Sequence, residues 1–145
     1  MSDGVGHDQF AAELRFDDVF EPAIRDAGLE PYRVDRDPST NILIDAIETG
    51  IRSADACFAE ITTDNPNVWY ELGYAVASGK PIVMACAASR DGFPFDIRHR
   101  PIVPYETDSP SDFEAARKEI SARLVAAVRL RATMVEAADE AFVAP

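Results

Sequence analysis

The sequence is poor in the residues that build disulfide bonds and metal sites. Its 145 residues include only two cysteines and two histidines, which are scattered along the chain. Cys57 and Cys86 each lie within an apolar stretch, a setting that favours buried, reduced thiols over a disulfide or a metal site. We therefore expect neither a bound metal nor a cofactor.

Basic residues and long apolar runs are scarce as well. The chain has 14 Lys and Arg against 26 Asp and Glu, a formal net charge of −12. Since proteins bind nucleic acids through Lys and Arg that neutralise phosphates, this balance speaks against a nucleic-acid partner but leaves a small nucleotide open. No apolar run approaches the roughly 20 residues of a membrane span, and no signal pattern opens the chain. We expect a soluble, cytoplasmic protein without a membrane partner.

The patterns that are present predict one α/β domain. A chain of this length folds as about one domain, and its hydrophobic content of 47% supplies a core. Strands that alternate with helices indicate a parallel sheet covered on both faces. The predicted elements are a helix over 15–28 ended by Gly28, a strand over 29–37, a helix over 39–54 with a capping group at Ser39, Thr40 and Asn41, a strand over 55–61, a helix over 66–78 ended by Gly79, and a strand over 81–87.

The chain changes character after Ala88. Residues 89–112 are rich in proline, and only "PIVPY" predicts a short edge strand. The apolar spacing after it predicts one long helix, or two abutting ones, over 111–141. At 1.5 Å per residue such a helix reaches about 45 Å, so part of it should pack on something else. We divide the chain into a polar segment (1–15), an α/β domain (16–110) and a C-terminal helix (111–145).

A first strand cannot be found. Doubly wound domains usually begin with a central strand, yet residues 1–15 are polar and interrupted by glycine. Either the domain does without this strand, or the chain begins late relative to its gene or its fold. We expect the second.

A turn rich in side-chain oxygens, "TTDNPN", follows the strand over 55–61. In parallel α/β sheets ligands bind beyond the carboxyl ends of strands, so Asp64, Asn65 and Asn67 are candidates to contact a ligand. Pro66 suits a first helical turn, and the alternative interpretation of this turn is a plain helix cap. Glu71 follows about one turn into the helix, where its carboxylate is expected to point back toward the same crevice.

The run "VWYELGYAVASGKPIVM" resembles the segment of nucleoside 2-deoxyribosyltransferases in which an E-L-G-Y-A run carries the nucleophilic glutamate. Upstream, "GIRSADACFAEITTDN" is similar to the family stretch in which an aspartate opens the strand before that helix. The resemblance implies that Glu71 is the nucleophile and that Asp55 is the acid/base or a nucleobase contact. It also implies a flavodoxin-like, three-layer parallel α/β sandwich, here with its first strand in question.

A broader bacterial set, related to these transferases and to Toll/interleukin-receptor (TIR) domains, is similar over about Phe16 to Tyr105. Its pieces are a "GL…YR.D" strand, an "I..AD" strand, an "NPNV.YELG.A" helix, a "GKP" turn and a "PFDI" loop, matched here by residues 28–35, 51–55, 65–75, 79–81 and 94–97. Two departures stand out. The opening strand ending in "MPF" is absent, and Glu60 stands where many relatives carry a second aspartate.

The chemistry implied by the resemblance is cleavage of an N-glycosidic bond. A carboxylate beneath the sugar stabilises a cationic transition state or attacks the anomeric carbon, while a second acid manages the leaving base. For that acid, Asp55, Glu60 and Asp64 remain open. The alternative for Glu71 is a partly exposed helix residue paired with Lys80 or an arginine.

Further substrate contacts are predicted with their plainer alternatives. Tyr70 is placed either to stack on a base or to pack in the core. Arg33 and Asp35 follow a predicted strand and either line the pocket or form a surface ion pair.

Three functions compete. The first is an enzyme acting on a nucleoside or nucleotide, with NAD among the candidates because TIR relatives act on it, by hydrolysis or by transfer. The second is a module that binds a nucleotide without cleaving it, and the third is an assembly protein centred on the C-terminal helix. A stripe of apolar residues on that helix is expected to be exposed on a monomer and buried in a homodimer or larger homo-oligomer: Leu124, Val128, Met134, Val135 and Phe142.

Overall fold

A computed structural model describes residues 16–33, 43–93, 97 and 100–137. Within these residues, three strands form one sheet and helices cover it on both faces. The helical elements are a π-helical turn (Phe16–Phe20), α1 (Glu21–Asp26), α2 (Leu43–Ser53), α3 (Pro66–Ala77) and α4 (Pro110–Ala137), and the strands are β1 (Cys57–Glu60), β2 (Ile82–Ala87) and β3 (Ile102–Tyr105). None of the described helices combines the length and apolar character that crossing a membrane requires.

The sheet is parallel and has the order β1-β2-β3. Its register pairs Cys57 with Ile82 and Met84 with Ile102. The α/β class and the parallel sheet predicted from the sequence are therefore confirmed. β3 lies at one side of this sheet, as the proline within its sequence requires, because Pro104 has no N–H to donate to a further strand.

Alternation of side chains along the strands divides the interior into two cores. On one face, Phe58, Val83 and Val103 pack with the π-helical turn, α1 and α4. On the other face, Met84 and Cys86 pack with residues of α3. This arrangement is the predicted three-layer sandwich, with the sheet as the middle layer.

The segment after α1 differs from its predicted strand. Gly28 adopts a φ of +82°, and the N–H of Leu29 donates to the carbonyl oxygen of Ile24 at 3.1 Å, so the chain turns back at the end of the helix. Leu29 then packs against the core beside α1, and Pro31 lacks a backbone donor. The prediction of a strand is wrong for residues 29–33, which carry none, and residues 34–37 lie outside the described residues.

The long C-terminal helix is confirmed as one continuous helix over Pro110–Ala137. The predicted exposed stripe is wrong at Leu124, which is 1% exposed and belongs to the core of its own domain. The reason is that α4 lies across α1 and the sheet, so Ala116, Ile120 and Leu124, spaced four residues apart, face inward. Val128 is partly buried, and the side chains of Met134, Val135 and Phe142 lie outside the described residues.

Several further predictions fall on residues that the structure does not describe. They are the missing first strand within residues 1–15, the capping group at Ser39, Thr40 and Asn41, and the final residues of the C-terminal helix. These stay predictions.

Candidate functional site

Glu60 connects the carboxyl ends of the strands. It ends β1, and its Oε1 accepts a hydrogen bond of 2.5 Å from the backbone N–H of Thr62, while its Oε2 accepts one from the hydroxyl of Tyr105 at the end of β3. The hydroxyl oxygen of Thr62 in turn accepts from the N–H of Ala87 at the end of β2. Both oxygens of Glu60 thus serve neighbouring protein groups, on the sheet face covered by α1 and α4.

Arg90 follows β2 and reaches the loop between β1 and α3. Its side chain is only 9% exposed. Nη1 donates to the carbonyl oxygen of Thr62 at 2.9 Å, and Nη2 donates to Oδ1 of Asp64 at 2.5 Å. Nε donates to the carbonyl oxygen of Gly92 at 2.9 Å, and the guanidinium carbon lies 4.7 Å from the centre of the Phe93 ring. Asp64, predicted as a ligand contact, therefore faces a buried guanidinium.

The turn before α3 is a helix cap. Asn65 is the N-cap residue, and its Oδ1 accepts a 2.9 Å hydrogen bond from the N–H of Asn67, while Pro66 occupies the first turn. The capping alternative weighed from the sequence is thus the arrangement observed at Asn65. Asn65 and Asn67 are both exposed to solvent. The cap does not test whether they contact a ligand, and these contacts stay predictions.

Glu71 lies in the middle of α3 and is partly buried. The negative charge of Glu71 acts on Cys57, the first residue of β1. Burial raises the pKa of the Cys57 thiol, Lys80 lowers it, and the negative charge of Glu71 raises it further. The carboxylate of Glu71 is therefore within electrostatic reach of the Cys57 thiol at the start of β1. Its predicted direction toward the crevice at the carboxyl ends stays a prediction. Lys80 itself donates from Nζ to the carbonyl oxygen of Arg52 at 2.7 Å.

The three alternatives for the second acid lie in two different places. Asp55 is exposed and lies two residues before Cys57, at the amino end of β1. Glu60 and Asp64 lie at and beyond the carboxyl end of the same strand. Because β1 is extended at about 3.3 Å per residue, Asp55 lies at one end of the sheet, and Glu60 and Asp64 lie at the other. Asp55 lies at the same end of β1 as Cys57, the thiol whose pKa is raised by the charge of Glu71.

Tyr70 lies on the outer surface between α2 and α3. It is 47% exposed, so the alternative of a core position is not met, and the predicted stacking on a base stays a prediction. Its hydroxyl donates to Oε1 of Glu48 at 2.7 Å, and this hydrogen bond raises the pKa of the phenol. One turn further along, Nη1 of Arg52 donates to the hydroxyl oxygen of Tyr74 at 2.8 Å. Sequence reasoning missed Glu48, although two pairs spaced four apart on successive helices were a signal.

The remaining predicted contacts come from the segment after α1. Arg33 is partly buried, and Asp35 lies outside the described residues, so neither their predicted contacts with the substrate nor the alternative ion pair is tested. Arg90 and Tyr105 were missed by sequence reasoning, since each contacts residues more than 25 positions away.

Both cysteines are free thiols. Burial raises the pKa of the Cys86 thiol, and the nearby Glu60 carboxylate adds to this effect. Within the described part of the chain, no group of three His, Cys, Asp or Glu side chains is arranged to hold a metal ion.

Comparison with known proteins yields one family. The model of the family described as nucleoside 2-deoxyribosyltransferase matches residues 7–108, more than half of the chain. The matched part contains the whole sheet together with α3, Glu71 and Asp55, and it lends no support to the TIR part of the resemblance. No curated protein and no solved structure matches the chain. The chain therefore belongs to the nucleoside 2-deoxyribosyltransferase family.

Proposed function

We propose that this protein cleaves the N-glycosidic bond of a nucleoside, with Glu71 as the nucleophile. Family membership supports a deoxyribosyltransferase-like function. The observation that carries the finer proposal is the place of Glu71, within the E-L-G-Y-A run and half-buried on α3 beside β1. A carboxylate that is partly withdrawn from water interacts more strongly with a developing positive charge than an exposed one does.

The reaction proceeds in two displacements. An oxygen of the Glu71 carboxylate bonds to the anomeric carbon of the sugar while the bond from that carbon to the base nitrogen breaks. The base leaves with the bonding electron pair and takes a proton from an acid. Water or a second nucleobase then bonds to the anomeric carbon, gives up a proton and releases the carboxylate. Water gives hydrolysis, whereas a second base gives transfer.

Asp55 is our choice for the acid. It lies two residues before Cys57, the thiol whose pKa is raised by the charge of Glu71, whereas Glu60 and Asp64 are engaged by other protein groups at and beyond the carboxyl end of β1. Glu48 is the second candidate, because it accepts a hydrogen bond from Tyr70, the residue that precedes Glu71 on α3. Asp55→Asn and Glu48→Gln separate the two: the variant of the proton donor should lose activity more steeply with a poor leaving base than with a good one.

Tyr70 is our candidate for stacking on the base. Its ring is exposed at the boundary of α2 and α3, and the bond to Glu48 holds it in one orientation. Deoxynucleosides are the first substrate class to test because of the family, and NAD, whose nicotinamide is held by the same kind of bond, is the second.

The test is base release measured by chromatography from deoxynucleosides, ribonucleosides and NAD, with and without an added free base. We expect the wild type to release base from at least one class and Glu71→Gln to lose this activity by about a hundredfold or more. Glu119→Gln is the matched control, since Glu119 is a carboxylate of α4 paired with Arg123 on the surface. Undiminished activity in Glu71→Gln would refute the assigned role. A wild type that binds a nucleoside without releasing base would instead be a binding module.

A further inference from the structure

Arg90 combines burial with contacts that join separate parts of the chain. Its guanidinium is almost entirely covered, and each of its nitrogens donates a hydrogen bond. Two of these bonds cross from the segment after β2 to the loop between β1 and α3, at Thr62 and Asp64. The stacking contact with Phe93 restricts the plane of the guanidinium. Such a set of contacts fixes one loop relative to another.

The loop that Arg90 holds determines where α3 begins. Thr62 is also tied to the sheet through Ala87, and Asn65, one residue after Asp64, caps the helix. Helix α3 has little freedom once its first turn is fixed, because successive residues are joined by hydrogen bonds along the axis. Glu71 lies five residues after Pro66, about 7.5 Å along that axis.

We propose that Arg90 is a positioning residue that fixes the start of α3 and thereby the carboxylate of Glu71. The proposal rests on the proposed function in so far as a reaction depends on where Glu71 lies. Catalytic groups must be held within roughly 0.5 Å of their productive positions, so a small displacement of the first turn of α3 changes the rate without removing any reacting group.

Lysine cannot replace arginine in this role. The acceptors are two backbone carbonyl oxygens and one carboxylate oxygen, approached by three different nitrogens of a planar group. A lysine keeps the positive charge but offers one nitrogen on a flexible stem. Arg90→Lys should therefore retain the charge near Asp64 and lose the connection between the loops.

The first experiment measures backbone amide hydrogen exchange in the full chain, which requires no activity. Wild type is compared with Arg90→Lys, Arg90→Gln and Asp64→Asn, with Arg123→Lys as a surface control. We expect exchange at Asn67 and Trp69, in the first turn of α3, to rise about tenfold or more in both Arg90 variants. Asp64→Asn, which keeps the bond to the Thr62 carbonyl, should give a smaller rise.

The amides of α4 around Ile120 show in the same spectra whether each variant is folded. If Arg90→Gln does not fold, Arg90→Lys and Asp64→Asn decide whether Arg90 fixes the start of α3. Exchange at Asn67 and Trp69 that equals the wild type in folded Arg90→Lys would overturn the proposal. The control should match the wild type throughout.

The second experiment measures base release by the same variants. We expect Arg90→Lys to lower kcat about tenfold while KM changes less than twofold, because positioning acts on the reacting group and not on substrate affinity. A raised KM confined to phosphate-bearing nucleotides, with unchanged exchange, would mean that Arg90 contacts the substrate and would overturn its positioning role. If the wild type has no activity, the exchange result still decides whether Arg90 fixes α3, so failure of the proposed function is distinguished from failure of this inference.

Discussion

The two faces of the sheet are built differently. On the face covered by α1 and α4, Phe20, Ile120 and Leu124 are almost completely buried, and Phe20 contacts the rings of Phe58 and Tyr105. On the other face, α3 and its neighbour α2 expose large apolar side chains and are joined by hydrogen bonds between polar groups. On α2 and α3 these are Ile44, Tyr70 and Val76, whereas the described part of α4 exposes one, Leu130.

Under the proposed function, the difference separates the residues that stabilise the fold from those that act on the substrate. A closed apolar core contributes most to the free energy of unfolding, because burial of apolar surface is the main favourable contribution to folding. On the α3 side, Tyr70 is exposed and Glu48 and Glu71 are partly buried. We therefore expect substitutions in the core below α4 to change stability, and substitutions of Tyr70, Glu48 and Glu71 to change activity.

The largest effect on stability should come from Leu124→Ala. Leu124 is 1% exposed within the core, and removal of a buried leucine side chain typically costs about 3 to 4 kcal/mol. Urea unfolding should show this loss. Leu130→Ala is the control on the same helix, since Leu130 is 63% exposed and its truncation should cost less than about 0.5 kcal/mol. Equal losses in the two variants would contradict the proposed packing of α4.

Tyr105→Phe should give the next largest loss. The substitution removes the hydroxyl that donates to Glu60 and leaves a partly buried carboxylate with one partner fewer. Loss of a hydrogen bond to a charged group costs about 1.5 to 3 kcal/mol. Urea unfolding measures the cost, and Glu60→Gln made together with Tyr105→Phe should cost less than the sum of the single changes. Additive costs would argue against a direct bond between the two side chains.

The ion pair between Asp26 and Arg117 should make a smaller contribution to the free energy of unfolding, and this contribution should depend on pH. The hydrogen bond from Arg117, on α4, lowers the pKa of the Asp26 carboxyl in the folded protein. A lowered folded-state pKa stabilises the protein above the unfolded-state value near 3.8, and the contribution is lost as the pH falls through the folded-state value. Asp26→Asn should therefore destabilise the protein at pH 7 and flatten the decline of stability below about pH 5. Thermal unfolding across that range checks it, with Asp108→Asn as an exposed control.

Tyr70→Phe should have the smallest effect on stability. The lost hydrogen bond to Glu48 lies on the surface, where water replaces it, so the free energy of unfolding should change by no more than about 0.5 kcal/mol. Tyr105→Phe makes the same chemical change in the core and serves as the comparison. A loss in Tyr70→Phe as large as that in Tyr105→Phe would contradict the distinction between the two faces.

Most of the fold was predictable because local signals agreed. Apolar runs marked β1 and β2, and Gly79, at a φ of +69°, ended α3 where the sequence indicated. The strand expected after α1 is absent from residues 29–33, because Gly28 and Leu29 turn the chain back onto that helix. A short apolar run does not show whether it forms a strand or packs against the preceding helix. The face of α4 that contains Leu124 was recognised as apolar, but periodicity does not reveal whether a helix packs on its own domain or on a partner.

The candidate site was predictable only in part. The resemblance selected Glu71 and Asp55, and the family match covers both. Sequence reasoning left Asp55, Glu60 and Asp64 open as alternatives for the second acid, because it did not show which end of β1 lies near Glu71. The proposed role of Arg90 depends on contacts with residues 26 and 28 positions away, which leave no periodic signal.

The most direct test of the central claim is a search for a covalent intermediate on Glu71. The wild type is mixed with a deoxynucleoside in the absence of an acceptor base, quenched in acid and digested, and its peptides are weighed by mass spectrometry. We predict a deoxyribosyl group on the peptide that contains Glu71, lost in Glu71→Gln and retained in Glu119→Gln. A wild type that releases base while the sugar is found on another carboxylate, or on none, would contradict the assignment of Glu71 as the nucleophile.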